Sequence, residues 1–315
     1  MPVTPKKIAV IGGANMDIGG FSARKLLNGD SNPGRVRMTI GGVGRNIAEN
    51  LARLGLQVEL ITAIGGDPNG RAILADCAQK GIGTQLSLIE EEMTSSVYLF
   101  ISDADGDMHC AINDMEIQKR LTPAVLAARI DNINAMDAAV IDANLEEETI
   151  AYLAQNLKIP IFADSVSAAK AMRLKPALPY LYALKPNRIE AELMTGLEIH
   201  SEAEAARAAE AIAAMGVRRV YLTMGVQGAV CVEGARCVRL PGRQLDMVNA
   251  SGAGDAFTAA LVWAWSEGLG LEEGCIAGMA AASIAVEAVS AVNPRMNVQS
   301  LQLRIQEYMN QEERI

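Results

Sequence analysis

The sequence predicts an α/β protein in which helices cover both faces of a doubly wound, mostly parallel sheet. Short runs rich in β-branched residues alternate with longer segments rich in Ala, Leu and Glu, and this order is typical of parallel sheets buried on both faces. The chain has 315 residues, half of them hydrophobic, which suffices for a full core. No internal repeat or low-complexity linker marks a second unit. We therefore predict a single domain over residues 1–315.

The predicted strands are short, apolar and bounded by turn signals. They are Lys7–Ile11, Val58–Thr62, Ala138–Ile141, Ile159–Ala163, Tyr182–Leu184, Arg219–Thr223 and Ala229–Val232. The predicted helices have a helical apolar period. They are Asn46–Leu54, Gly70–Lys80, Glu146–Asn156, Glu202–Met215, Ala253–Glu267 and Glu272–Glu287. Residues 19–40 and 94–111 break the alternation with turn signals and alternating patterns. We expect these two segments to form a small β lid.

The composition argues against several classes of function. A formal net charge of −9 without a basic block disfavours binding to nucleic acid or to anionic lipid. No apolar stretch approaches the roughly 18 residues of a membrane span, and the N-terminus lacks the pattern of a secretion signal. We therefore expect a cytoplasmic protein. The five cysteines form no CxxC pair, and the chain has only two histidines, which leaves little material for a zinc site or a Ser-His-Asp triad.

The strongest candidate for chemistry is the segment Gly252-Ala253-Gly254-Asp255, which leads into an apolar helix. Small residues at a helix start leave backbone N–H groups open, and with the helix dipole these groups form a cradle for an anion. Beside a bound phosphate, Asp255 can accept the proton of an attacking hydroxyl while the amides of Ala253 and Gly254 stabilise the transferring group. The alternative is a tight helix start in which Asp255 only complements the helix dipole.

Two motifs in the first half predict where an acceptor binds. Asn15 and Asp17 follow the first strand, at the edge where open α/β sheets bind ligands, and they suit the vicinal hydroxyls of a sugar. Gly42 allows close approach of a ligand, and Asn46 can read another hydroxyl from a helix start. The alternatives are a plain turn or a dinucleotide-binding turn, although the full Gly-x-Gly-x-x-Gly pattern of the latter is absent.

Two motifs in the second half predict a nucleotide site. Asn187 and Glu190 are three residues apart at a helix start and can hold a hydrated Mg²⁺, although the same pair also fits a capping box. The turn that contains Thr223, Gly225 and Gly228 allows ATP to approach the backbone, although a simple hairpin explains it equally well.

Together and in this order, the motifs resemble those of the ribokinase (PfkB-type) family over essentially the whole chain. Gly41-Gly42-x-Gly44-x-Asn46 and Gly252-Ala253-Gly254-Asp255 are similar to the two signatures of that family. The resemblance implies a ribokinase-like fold with a β lid that often mediates dimerisation, hence a homodimer. It also implies phosphoryl transfer from MgATP to a primary hydroxyl of a sugar or nucleoside. Asp255 is then the base, and ATP contacts the second-half motifs and Gly254.

Within the family, further segments resemble the members that phosphorylate the 5′-hydroxyl of pseudouridine. These segments are Gly12–Asp17, Asp30–Gly34, Gly41–Ala48, Ala111–Met115, Asp164–Lys170 and Leu184–Glu190. By this resemblance Ser31, Asn113 and Lys170 contact the nucleoside, and their polar groups suit the edge of a uracil ring. Structurally, the three can instead be a turn residue, a strand-end cap and a solvated charge. A different nucleoside, ribose or fructose as acceptor, a nucleoside-binding sensor without catalysis, and a nicotinamide-dependent dehydrogenase are the alternative functions.

One departure from the family pattern concerns a monovalent cation. Many relatives carry Asp-Thr before the Gly-Ala-Gly-Asp signature, and that Asp helps to hold an activating ion. Here Asn249-Ala250 stands in that place. Asn249 and Ser251 are the candidate ligands, but the lost charge is expected to weaken K⁺ binding.

Overall fold

The computed structural model describes residues 5–105, 107–243 and 247–312. In this part of the chain the strands are β1 (Lys7–Ile11), β2 (Asn15–Ser22), β3 (Gly34–Gly41), β4 (Gln57–Ile61), β5 (Ala63–Gly65), β6 (Ile82–Gly83), β7 (Leu88–Glu90), β8 (Val97–Ser102), β9 (Met108–Asp114), β10 (Ala138–Asp142), β11 (Ile161–Asp164), β12 (Ala183–Lys185), β13 (Arg219–Thr223), β14 (Gly228–Glu233) and β15 (Arg236–Pro241).

The α-helices of the described chain are α1 (Val43–Arg53), α2 (Pro68–Gln79), α3 (Pro123–Ala127), α4 (Ile130–Asn134), α5 (Glu147–Asn156), α6 (Ala168–Ala171), α7 (Arg188–Thr195), α8 (Glu202–Ala214), α9 (Ala253–Ser266), α10 (Leu271–Ala285) and α11 (Val298–Glu312). Shorter 3₁₀ segments cover Glu116–Arg120, Met172–Tyr180 and Gly225–Gln227. None of the described helices is both long enough and apolar enough to cross a bilayer.

The main sheet contains nine strands of the described chain, in the order β15-β14-β13-β12-β11-β10-β1-β4-β6. From β13 to β6 all neighbours are parallel, whereas β14 and β15 add an antiparallel edge. Successive residues of β1 belong to different cores, because Ile8 and Val10 face the layer of α1, α9 and α10, while Ala9 and Ile11 face the layer of α5 and α8. The predicted doubly wound sheet is confirmed.

The lid is a separate sheet of four strands, in the order β3-β2-β8-β9 within the described chain. It extends beyond the predicted segments, because its strands include residues 15–22, 34–41, 97–102 and 108–114. Asn15 and Asp17 follow the first strand as predicted and begin the first lid strand, so the alternative of a plain turn does not hold. Several short elements were not among the predictions, and neither were the longer β15 and α11. Charged residues interrupt the pattern of β15, and few apolar side chains of α11, among them Leu301 and Tyr308, reach the core.

Candidate active site

The carboxyl ends of neighbouring strands bring several charged side chains to one edge of the main sheet. Asp142 ends β10, Asp164 ends β11 and Lys185 ends β12, and all three side chains are buried. Buried charges require partners. Oδ2 of Asp142 accepts a hydrogen bond from the Gly13 backbone N–H at 2.8 Å. Oδ2 of Asp164 accepts one from Thr258 at 2.7 Å and lies 3.5 Å from Nζ of Lys185. These residues tie the sheet edge to the first half of the chain and to α9.

Helix α9 begins beside this edge, and its first residues are small, so little side-chain bulk covers the backbone there. Gly252 is its N-cap and has φ 80°, a left-handed conformation that suits glycine. A side chain at Gly252 would collide with the backbone carbonyl of Ala291, and a Cβ at Gly254 would lie 3.2 Å from Nζ of Lys185. The start of α9 therefore lies beside a buried ammonium group. This combination suits the phosphates of a bound nucleotide.

Asp255 is the third residue of α9 and is buried. Its Oδ2 accepts a hydrogen bond from Nδ2 of Asn46 at 2.8 Å. Burial raises the pKa of the Asp255 carboxyl to about 7, and the nearby Asp164 carboxylate adds to the rise, whereas the Asn46 hydrogen bond and the charge of Lys185 oppose it. A carboxylate with a pKa near neutral pH is suited to accept a proton from an alcohol.

Lys185 is a residue that the sequence analysis did not assign to the site. Burial lowers the pKa of its ammonium group, but the charges of Asp164, Glu190 and Asp255 outweigh this effect and raise the pKa above its ordinary value. Lys185 therefore remains protonated although it is buried. The available signal was a lysine at the end of an apolar strand, just before the Asn187–Glu190 helix start.

The predicted acceptor residues of the first half lie together where the lid meets α1. Nδ2 of Asn15 donates to Oδ1 of Asp17 at 2.6 Å. Burial raises the pKa of the Asp17 carboxyl, and the Asn15 hydrogen bond and the charge of Arg45 oppose the rise. A Cβ at Gly41 would collide with the Asp17 carboxylate. Gly42, with φ 97°, packs so closely on the chain before Asn15 that a side chain there would also collide with backbone.

The lid register places Asn113 in the same row as Asp17. Asp17 pairs with Tyr98 of β8, and Tyr98 pairs with Asn113 of β9. Paired residues point to the same face, and two strand spacings separate Asp17 from Asn113 by about 10 Å. Ser31 lies in the exposed loop between β2 and β3, and the end of β2 at Ser22 is roughly 23 Å along the strand from Asn15. The register therefore brings Asn113 towards Asp17, and the binding roles of Asn113 and Ser31 both stay predictions.

Lys170 reaches the sheet edge from α6. Its Nζ donates to Oδ1 of Asn144 at 2.7 Å, and Asn144 packs against Gly13. Burial lowers the pKa of the Lys170 ammonium group, and the charge of Asp142 opposes this shift. Lys170 is thus half-buried beside the first strand rather than a freely solvated charge.

Asn187 and Glu190 form a capping box at the start of α7. Oε2 of Glu190 accepts hydrogen bonds from the Asn187 backbone N–H at 2.8 Å and from Ser165 at 2.5 Å, and Oε1 accepts one from the Asn187 side chain at 2.9 Å. Within the described residues, no cluster of three or more His, Cys, Asp or Glu side chains forms a ready metal site. An Mg²⁺ beside Asn187 and Glu190 would therefore have to be held through its own waters, which Mg²⁺ retains readily.

The residues predicted to contact ATP are partly collected beside this helix start. Asn187 forms a parallel bridge with Thr223, whose backbone N–H donates to the carbonyl of Pro186 at 2.9 Å. Gly225 and Gly228 follow in the turn into β14 with φ 60° and 104°, so both need the conformational freedom of glycine.

The candidate cation ligands lie just before α9. Nδ2 of Asn249 donates to the carbonyl of Val289 at 2.8 Å, and its Oδ1 accepts from the Ser251 backbone N–H at 3.0 Å. The amide of Asn249 is thus occupied at both ends by the protein itself, and a role in K⁺ binding stays a prediction.

Comparison with known proteins agrees with this geometry. A family model described as pfkB family carbohydrate kinase matches residues 5–297. The chain belongs to the pfkB family. It is 35% identical to the pseudouridine kinase of Escherichia coli (strain K12) over 92% of this chain and 94% of that protein. It is 28% identical to the guanosine-inosine kinase of Exiguobacterium acetylicum over 92% of this chain and 98% of that protein.

Solved structures of the same fold cover nearly the whole chain. A carbohydrate kinase from Agrobacterium tumefaciens matches with a TM-score of 0.85 and 31% identity, over 96% of this chain and 97% of that one. Arabidopsis thaliana ribokinase, solved with ribose and ATP, matches with a TM-score of 0.87 and 21% identity, over 96% of this chain and 99% of that one.

Membership in the pfkB family supports the class of reaction predicted from the two glycine motifs. The protein is a kinase, a phosphotransferase that acts on an alcohol group. This membership does not support the dehydrogenase alternative. Family membership alone does not identify the acceptor molecule.

Proposed function

We propose that this kinase phosphorylates the 5′-hydroxyl of pseudouridine and releases pseudouridine 5′-phosphate and ADP. The observation that carries the proposal is the row of Asp17, Tyr98 and Asn113 across one face of the lid. Its length of about 10 Å suits a ribose at one end and a base at the other. The similarity to the Escherichia coli pseudouridine kinase supports the same acceptor.

In the proposed reaction Asp255 is the general base. Its carboxylate takes the proton of the 5′-hydroxyl as the hydroxyl oxygen forms a bond to the γ-phosphorus of ATP. The bond between that phosphorus and the bridging oxygen breaks, and its electron pair leaves with ADP. The Gly252, Ala253 and Gly254 backbone at the start of α9, together with Lys185, stabilises the negative charge on the transferring group.

The nucleotide is proposed to lie across the sheet edge beside α7 and the turn after β13. Asn187, Thr223, Gly225, Gly228 and Gly254 are the proposed ATP contacts. Asn187 and Glu190 would hold Mg²⁺ through water, and a bound Mg²⁺ supplies neutralising charge to the phosphates. Asn249 and Ser251 remain the proposed ligands of a weakly bound K⁺.

The nucleoside is proposed to bind between the lid and α1. The ribose hydroxyls are proposed to bind where β2 and α1 begin. The residues proposed to contact them there are Asn15, Asp17, Gly42 and Asn46. The base then extends towards Asn113 and Lys170, which offer hydrogen-bonding groups to its edge. Ser31 can contact the base only if the loop between β2 and β3, which carries Ser31, reaches back to the proposed nucleoside site.

We further propose that the protein forms a homodimer through the outer face of the lid. The residues on this face alternate with Asp17 and Tyr98, and several are apolar and exposed. They are Val36, Met38, Leu99, Ile101 and Ile112. An exposed apolar sheet face of this kind is typical of a protein interface. The cytoplasmic location expected from the sequence stays a prediction.

The second candidate is the same reaction on another acceptor, which the guanosine-inosine kinase relative favours. The test measures ADP release with pseudouridine, uridine, guanosine, inosine, ribose and fructose at equal concentrations. We expect kcat/KM for pseudouridine to exceed every other value at least about tenfold, which corresponds to about 1.4 kcal/mol of discrimination. A higher value for another acceptor would reassign the substrate. Nucleoside binding without ADP release from any of them would indicate the sensor.

A further inference from the structure

Arg45 is a buried arginine directly before Asn46 in α1, and its side chain is 4% exposed. Its NH1 group donates to Oδ1 of Asn46 at 3.2 Å. Its NH2 group lies 2.5 Å from Oε2 of Glu49 and 2.6 Å from Oδ2 of Asp76. Neither the sequence motifs nor the proposed catalytic steps assign a role to Arg45.

The contact with Arg45 determines which way the Asn46 amide points. A guanidinium group only donates hydrogen bonds, and a carboxylate only accepts them. With Arg45 on one side and Asp255 on the other, the Asn46 oxygen must face Arg45 and its NH₂ group must face Asp255. The reversed amide would place an oxygen against the Asp255 carboxylate and NH₂ hydrogens against a cation.

Arg45 is itself held firmly in place. Glu49 lies one turn later on α1, and Asp76 lies on α2. Lys80 also contacts both carboxylates, and Arg53 pairs with Glu49 from the other side at 2.8 Å. A network of this kind fixes a side chain that would otherwise be costly to bury.

We propose that Arg45 is a positioning residue for phosphoryl transfer, which orients the Asn46 amide so that Asp255 is held as a carboxylate with one oxygen directed to the acceptor. Asn46 engages Oδ2 of Asp255, and no donor among the described residues bonds to its Oδ1. That second oxygen is thus the one available to the acceptor hydroxyl. The proposal rests on the proposed role of Asp255 as the base.

The test replaces Arg45 by Met, alone and together with Glu49→Gln, which removes one of the two carboxylates that Arg45 neutralises and so keeps the net charge of the cluster unchanged. Arg53→Met is the matched control, because Arg53 pairs with the same Glu49 but does not touch Asn46. We expect kcat to fall about 10-fold to 100-fold, more than the acceptor KM rises. We also expect the acidic limb of the kcat–pH profile to move up by about one pH unit. Arg45→Lys should restore part of the lost kcat and part of the shift in the pH profile. Arg53→Met should change neither kcat nor the pH profile.

A measurement without substrate separates this inference from the proposed function. The Asp255 carboxyl is titrated by ¹³C NMR in the free protein, with Asp255→Asn to assign the signal. A higher pKa in the Arg45→Met/Glu49→Gln protein supports the orienting role whatever the acceptor is. An unchanged pKa and an unchanged kcat–pH profile in that protein would overturn it. If the Asp255→Asn protein retained turnover, the proposed role of Asp255 as the general base would be wrong, whatever the NMR result.

Discussion

The carboxyl edge of the main sheet and the lid differ in how complete they are. At the sheet edge, Asp142, Asp164, Lys185 and Asp255 are buried and have protein partners. In the lid, every residue of β9 is exposed, including Asn113. The groups proposed for chemistry are therefore already arranged in the protein alone, whereas the surface proposed for the base is still open to solvent.

The difference follows from the cost of burying polar groups. A buried charge without a partner is expensive, so the sheet edge is stable only with its side chains paired to one another. An exposed strand carries no such constraint, and exposed segments with little packing open at low cost. We infer that the chemistry is preorganised, while the surface that recognises the acceptor becomes covered only when the nucleoside binds.

The largest expected effect is the loss of the base at the sheet edge. Asp255→Asn should lower kcat by at least about 10³-fold, within the range of general acid–base catalysis, and leave nucleoside affinity within a few-fold. Steady-state ADP release and calorimetric binding of pseudouridine measure the two quantities. Near-normal turnover would contradict the assignment of Asp255.

The junction between the two regions is tested at Gly41, which pairs with Asn15 in the lid hairpin. Gly41→Ala should raise the acceptor KM at least about tenfold, because its Cβ would displace the Asp17 carboxylate. Gly20→Ala is the matched control in β2, since the nearest atoms to its Cβ lie at 3.8 Å. Equal acceptor KM values for the two variants would argue against a role of Asp17 in binding.

The pH dependence tests how far the sheet edge is preorganised. A base with a pKa of about 7 must be deprotonated to act, so kcat should rise with pH through about 7 and reach a plateau above it. A profile that is flat from pH 5.5 to 9 would contradict this prediction.

The same carboxyl should affect stability with the opposite trend. Its pKa is higher in the native state than in the unfolded chain, so the native state binds more protons between about pH 4 and 7, and this contribution to stability falls as pH rises through that window. Above pH 7, Asp255→Asn should therefore unfold at an equal or higher temperature than the wild type in thermal scans. A clearly lower midpoint there would show that the buried carboxylate is stabilising.

The smallest expected effect on chemistry comes from the outer face of the lid. Ile112→Asp should shift the protein from dimer to monomer in sedimentation velocity, because it places a charge on the apolar face proposed as the interface. Leu303→Asp, at an exposed position of α11, is the control and should not change the mass. A wild-type protein that is already monomeric would rule out the dimer.

Local sequence patterns were sufficient for most strands of the main sheet and for the glycine motifs. Runs such as Ile8–Ile11 are apolar at consecutive positions, and that is the requirement of a parallel strand buried on both faces. The segment Gly252–Asp255 indicated an anion cradle because a helix start and its small residues are contiguous in the chain. Each of these features depends on neighbours in the sequence.

Only the tertiary structure decided which distant residues meet. Asn46 and Asp255 are 209 residues apart, and nothing local to either one indicates that a single hydrogen bond joins them. The burial that raises the pKa of Asp255, the ammonium of Lys185 beside Gly254, and the row from Asp17 to Asn113 all depend on strand order and register. These are set by packing between segments that lie far apart in the chain, because burial and pairing are properties of the assembled layers.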